Sequence, residues 1–129
     1  MKYTVEKSDD YALVQLHEEK LDSIIAPDIK TELVLLINEG FKNIVLNLAD
    51  VEFVDSSGLS AILVGNRSCE NAGGVLILTN LHANVKRLVI ISKLTDLLKI
   101  IPTVEEARDY LMFLRLEQEI AGEEAPTEE

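Results

Sequence analysis

Two short aliphatic runs, IVLNL at residues 44–48 and VLILT at residues 75–79, are separated by a long segment with helical spacing. Runs of this kind suit strands covered on both faces. A helix between two strands carries the chain back across the sheet, so the pair is expected to lie parallel. This alternation is the strongest constraint on the fold.

The flanking segments extend it. MKYTVEK and YALVQLH each alternate, with SDD between them, and read as an antiparallel hairpin with Ala12, Val14 and Leu16 facing inward. In APDIKTELVLLINEG, Pro27 suits a first helical position and Gly40 a stop, and Ile29, Leu33, Leu36 and Ile37 share one face. GLSAILVGNRSCENAGG reads as a second helix stopped by Gly73 and Gly74. In ANVKRLVIISKL, Val85, Leu88, Val89 and Ser92 form the inward face of a third helix. KIIP suits an edge strand ended by Pro102, and Thr103 and Glu106 open a last helix with capping-box spacing. The expected class is α/β: a mixed, largely parallel sheet with an N-terminal hairpin and helices packed on it.

The chain has 129 residues, enough for one domain with its own core, and aromatics make up only 5%, so that core must be aliphatic. The formal net charge of −11 argues against direct contact with nucleic acid and favours a neutral or basic protein partner. Six of the acids lie in EQEIAGEEAPTEE; without them the body carries −5. We therefore expect a domain over residues 1–116 and a solvated, disordered acidic tail over residues 117–129. The single cysteine, Cys69, allows no internal disulfide and no metal-ligand spacing, and is expected to pack rather than sense redox state. MKYTVEKSDD turns polar before any apolar run develops, and no stretch is long enough to span a bilayer, so a cytoplasmic protein without membrane insertion is expected.

The stretch FVDSSGL, residues 53–59, falls where a strand-like segment meets the second helix. Asp55, Ser56 and Ser57 could simply cap that helix, with Gly58 letting the backbone turn. Alternatively, one hydroxyl could accept a phosphoryl group, whose charge a helix start tolerates. A catalytic serine is the third option. The nucleophile elbow, however, needs a glycine two residues before the serine, which is missing here, and the only imidazoles are His17 and His82.

NIVLNLADVEFVDSSGLSAILVGNRSCENAGGVLILTNLHANVKRLVIISKLTDLLKI resembles the central segment of STAS domains, specifically bacterial anti-sigma factor antagonists. HEEKLDSIIAPDIK is similar to an earlier family stretch, although EEKLD lacks the family glycine there. The likeness runs over roughly residues 10–112, and nothing beyond Arg115 has a counterpart. It implies a binding protein, not an enzyme, that carries no cofactor and no metal. By resemblance, Ser56 is the acceptor phosphorylated by an anti-sigma factor that is itself an ATP-dependent serine kinase. The unmodified form would bind that partner and free the sigma factor, and a metal-dependent serine phosphatase would reset the modified form. Asp55 would cap the turn and orient Ser56, Ser57 would be a second cap, and Gly58 would allow close backbone approach. The Glu18–Ser23 loop, Ser60, Asn66, Arg67 and Asn84 are the expected interface. The alternative is a STAS docking subunit of a membrane transport or signalling assembly, without regulated phosphorylation.

Overall fold

The computed structural model describes residues 2–124. Its main sheet contains five strands in the order β1 (Tyr3–Lys7), β2 (Ala12–Leu16), β4 (Ile44–Asn47), β6 (Leu76–Thr79) and β7 (Lys99–Ile100). β1 pairs antiparallel with β2, and every other pairing in this sheet is parallel. A second, two-stranded parallel sheet joins β3 (Lys20–Leu21) to β5 (Phe53–Val54). The helices are α1 (Ala26–Asn38), α2 (Ser56–Asn71), α3 (Ala83–Ile91) and α4 (Val104–Glu124).

From β2 to β4, β6 and β7 the chain always steps in the same direction across the sheet. Right-handed crossovers stepping one way put all the connecting helices on one face. Accordingly, Ile29, Leu33 and Leu36 of α1, Ile62 and Cys69 of α2, and Val85 and Val89 of α3 share a core with Val14, Leu46 and Leu78. α4 covers the opposite face, where Ala107 and Leu111 meet Leu13, Val45 and Ile77. The alternate residues of each central strand thus supply two cores. Leu13, outside the expected inward set, is buried because α4 lies over it.

Local signals act as their chemistry requires. Thr103 caps α4, with the Glu106 amide donating to Thr103 Oγ1 at 3.1 Å, and the Glu106 carboxylate accepts from the Thr103 hydroxyl at 3.0 Å rather than from its amide, so half of the expected capping box is made. Gly73 adopts φ +86° just beyond the α2 C-cap at Ala72, a conformation that costs glycine little. Cys69 is fully buried and its thiol is pushed up to about 12, first by desolvation and then by the charge of Glu70. At neutral pH it is therefore a packing group, not a thiolate.

Two expectations need correction. Ser92 does not face the core; it is exposed at the α3 C-cap. Lys93 takes φ +59°, and the Leu94 amide turns back to the Val89 carbonyl at 3.0 Å, so Leu94 packs where Ser92 was expected. The proposed tail is also not all irregular. α4 continues as helix through Glu124, so residues 117–124 extend it, while residues 125–129 lie outside the described residues. Glu, Gln and Ala are good helix formers, and Arg115 pairs with Glu119 one turn on.

Candidate functional site

FVDSSGL sits on the shoulder of the domain, where β5 ends and α2 begins. The two-stranded sheet fixes it there. The Glu19 carbonyl accepts from the amides of Glu52 and Phe53, and the Leu21 carbonyl accepts from the Asp55 amide at 3.2 Å. The 18–23 loop is therefore tied to the motif by backbone, although the two are far apart in sequence. Two-residue strands have no period to read, so sequence spacing did not reveal this link.

Asp55 is the N-cap of α2, with extended backbone, and its Oδ1 accepts from the Gly58 amide at 2.9 Å. This answers one of the questions raised by the paired serines. Asp55 alone does the capping, and Ser57, expected as a second cap, makes no side-chain hydrogen bond among the described residues. Ser57 is the second residue of the helix, and the N-cap position is already filled by Asp55. Ser56 is the first helical residue, and its hydroxyl is exposed and likewise uncommitted. Gly58 is buried hard against the 18–23 loop. A Cβ there would collide with the Leu21 carbonyl oxygen and would stand 2.8 Å from Leu21 Cγ.

Ser56 lines one of two shallow depressions at the motif, and its neighbour Asp55 lines the other. One, about 340 Å³, is lined by Ser23, Pro27, Lys30, Ser57 and Ser60 together with Ser56 itself, and separates the first turns of α1 and α2. The other, about 430 Å³, is lined by Lys20, Leu21, Asp22, Phe53, Val54 and Asp55. Phe53, the first residue of the motif, is 48% exposed, and Ile24, just beyond the 18–23 loop, is 73% exposed. Sequence reasoning did not single out Lys30, Ile24 or Phe53 as site residues. Phe53 adjoins Ser56 in the chain itself, whereas Lys30 reaches the depression that Ser56 lines only through the packing of α1 on α2, and Ile24 follows the loop that the β3–β5 pairing ties to the motif.

Of the expected interface residues, Ser60 lines the first depression, but Asn66 is buried at 4% exposure, against expectation. It lies on the face of α2 that carries Ile62 and Cys69, three or four residues away on the helix. Arg67 and Asn84 are exposed but line neither depression. His17 is engaged by Thr4 and Asp50, and His82 by the Ala49 carbonyl; neither bonds to a serine of the motif. Among the described residues, no helix is long and apolar enough to cross a membrane.

One stability test follows from the cap. Asp55→Ala should cost about 0.5–2 kcal/mol, read as a lower thermal midpoint, and Asp55→Asn should recover most of it. Equal midpoints for Asp55→Ala and wild type would mean that the bond to the Gly58 amide contributes nothing.

The sequence pattern of the STAS domain family matches residues 2–107. Over 71 residues the chain is 35% identical to a Thermotoga neapolitana protein provisionally assigned as an anti-sigma factor antagonist, across 55% of this chain and 63% of that one. The aligned stretch thus spans less than two thirds of that relative. A crystal structure from Thermotoga maritima, with the same provisional assignment, superposes with a TM-score of 0.76 at 28% identity, covering 85% of this chain and 94% of that one. The anti-sigma factor antagonist SpoIIAA of Bacillus superposes in its unphosphorylated form with a TM-score of 0.74 at 25% identity, covering 85% and 96%. Its phosphorylated form gives 0.68 at the same identity, covering 84% and 98%.

Proposed function

Because the chain belongs to the STAS domain family, whose pattern covers most of it, we propose that it is an anti-sigma factor antagonist switched off by phosphorylation at Ser56. Unmodified, it binds an anti-sigma factor that doubles as a serine kinase, and the sigma factor is released. The observation that carries this reading is the division of labour at the start of α2. Asp55 satisfies the helix, which leaves the Ser56 hydroxyl exposed and free for chemistry.

In the modifying step, Ser56 Oγ attacks the γ-phosphorus of ATP held by the kinase. The new O–P bond forms as the bond to the β–γ bridging oxygen breaks; ADP leaves, and the hydroxyl proton passes to a base on the kinase. Hydrolysis of the ester by a serine phosphatase returns the hydroxyl and inorganic phosphate. The nucleotide and any metal belong to these partners, and this chain acts by binding.

The modification adds about −1.5 to −2 charges at neutral pH next to the exposed carboxylate of Asp55. The surface around it is suited to docking, because Ile24 and Phe53 offer apolar area within reach of the loop that Glu19 and Leu21 hold in place. The domain itself tolerates the charge, since Ser56 is in the first turn of α2, a turn with no acidic residue, where the helix dipole favours an anion.

The test is incubation with ATP and the kinase that recognises the chain, followed by peptide mapping. A gain of ~80 Da, the mass of one phosphate, is expected at Ser56. Ser56→Ala should gain nothing while retaining partner binding, measured by calorimetry. Modification at Ser57 or elsewhere instead of Ser56 overturns the assignment.

A further inference from the structure

We propose that Lys30 pairs with the phosphate of modified Ser56: the ester stays on Ser56 and turns its phosphate across the groove between α1 and α2 towards the Lys30 ammonium. The inference rests on Ser56 as the acceptor and adds the residue that holds the modified state.

The two sides of Ser56 differ in charge and in donors. On the groove side, Lys30 is the only charged lining residue, and Ser23, Ser57 and Ser60 supply hydroxyl donors. Lys30 has no ion-pair partner among the described residues, so its ammonium is not already engaged by an acid. Asp28, the one acid in the first turn of α1, does not line the groove. On the opposite side stand Asp22 and Asp55 with Lys20. Both carboxylates there are held by backbone: Asp55 accepts from the Gly58 amide, and Asp22 from the Ile24 amide at 3.0 Å. They cannot easily move aside for a dianion. Lys20 is likewise without an ion-pair partner among the described residues, but it shares its side with two carboxylates, whereas Lys30 shares the groove with none, and that difference sends the phosphate towards α1.

The consequence is a switch with two parts. Phosphorylation adds negative charge at Ser56 and also neutralises Lys30, a cation the unmodified surface presents to a partner. Both changes occur without rearranging the core, because Lys30 and Ser56 are already exposed on the same groove.

The test installs phosphoserine at position 56 during synthesis, so no kinase is needed, and follows its second ionisation by phosphorus NMR. A nearby cation favours the dianion and lowers that pKa. For an exposed pair, the wild-type background should titrate roughly 0.2–0.7 of a pH unit below the Lys30→Gln background. Lys30→Arg should restore the lower value, which a purely structural role for Lys30 would not require. Raising the salt concentration should shrink the difference. Identical titrations in the wild-type and Lys30→Gln backgrounds, or no rescue by arginine, overturn the proposal. A kinase that leaves Ser56 unmodified would defeat the functional reading while leaving this measurement intact.

Discussion

Ser56→Asp should bind the proposed anti-sigma factor partner about 10²- to several 10³-fold more weakly than wild type, the largest binding effect expected of any single change in this chain. The argument concerns charge, not shape. Ser56 is exposed on the first turn of α2, so an acid there does not disturb folding. In a docked complex the same acid would be removed from water beside Asp55, with no partner selected to meet it. An unpaired charge buried in this way costs on the order of 3–5 kcal/mol, and each 1.4 kcal/mol is a factor of ten in affinity. Ser56→Asn separates the two causes, because it has nearly the same size as Asp without the charge. It should lose far less. Calorimetry on the three proteins reads the result directly, with thermal melts showing that each is folded. Wild-type affinity for Ser56→Asp would end the idea that charge at this position governs docking.

Gly58→Ala should destabilise the domain by roughly 1–3 kcal/mol, against the usual trend. Within a helix, replacing glycine with alanine ordinarily stabilises by about 1 kcal/mol. Here the new methyl would strike the Leu21 carbonyl, which is backbone and cannot rotate away. Either the first turn of α2 lifts or the 18–23 loop retreats. Both strain the bond from the Asp55 amide to that same carbonyl. Trimming the side chain with Leu21→Ala would not relieve a clash with the main chain, and it would open a cavity where a fully buried leucine stood. Gly122→Ala is the matched control, because nothing lies within 4 Å of its virtual Cβ. It should be neutral or slightly stabilising. A Gly58→Ala protein that melts at or above the wild-type temperature would show that the α2 start and the 18–23 loop are not locked together. Partner binding should weaken along with stability, since the clash displaces the turn that presents Ser56.

The elements most legible in the sequence were those built from local signals. The hairpin, the two central strands, the glycine stop after α2 and the threonine cap of α4 each depend on residues within one or two turns of one another. The role of Asp55 as a cap was legible for the same reason, because capping needs only three consecutive amides. The paired serine was not resolved by the same rule. Asp, Ser and Ser are all acceptable caps, and the choice among them depends on where the β5 strand delivers the chain. The third helix failed at its last residue because Lys93 adopts a left-handed conformation that its residue type does not announce. The 117–124 segment was read from charge as unstructured, yet it continues as helix, since α4 docked on the sheet provides a template that composition does not report.

By itself, the sequence determined the order of the main-sheet strands and the four helices, the parallel character of that sheet, and a serine-rich turn at the head of a helix. Each follows from periodicity and from backbone chemistry over a few residues. The tertiary structure decided what stands around that turn: the Leu21 carbonyl against Gly58, Lys30 across the groove, and Ile24 and Phe53 left partly bare. Apart from Phe53, which adjoins the turn in the chain, these neighbours come from the β3–β5 pairing and from the packing of α1 on α2, contacts between segments distant in the chain. Their positions depend on how the whole sheet twists and which helices cover it, and no local pattern carries that information.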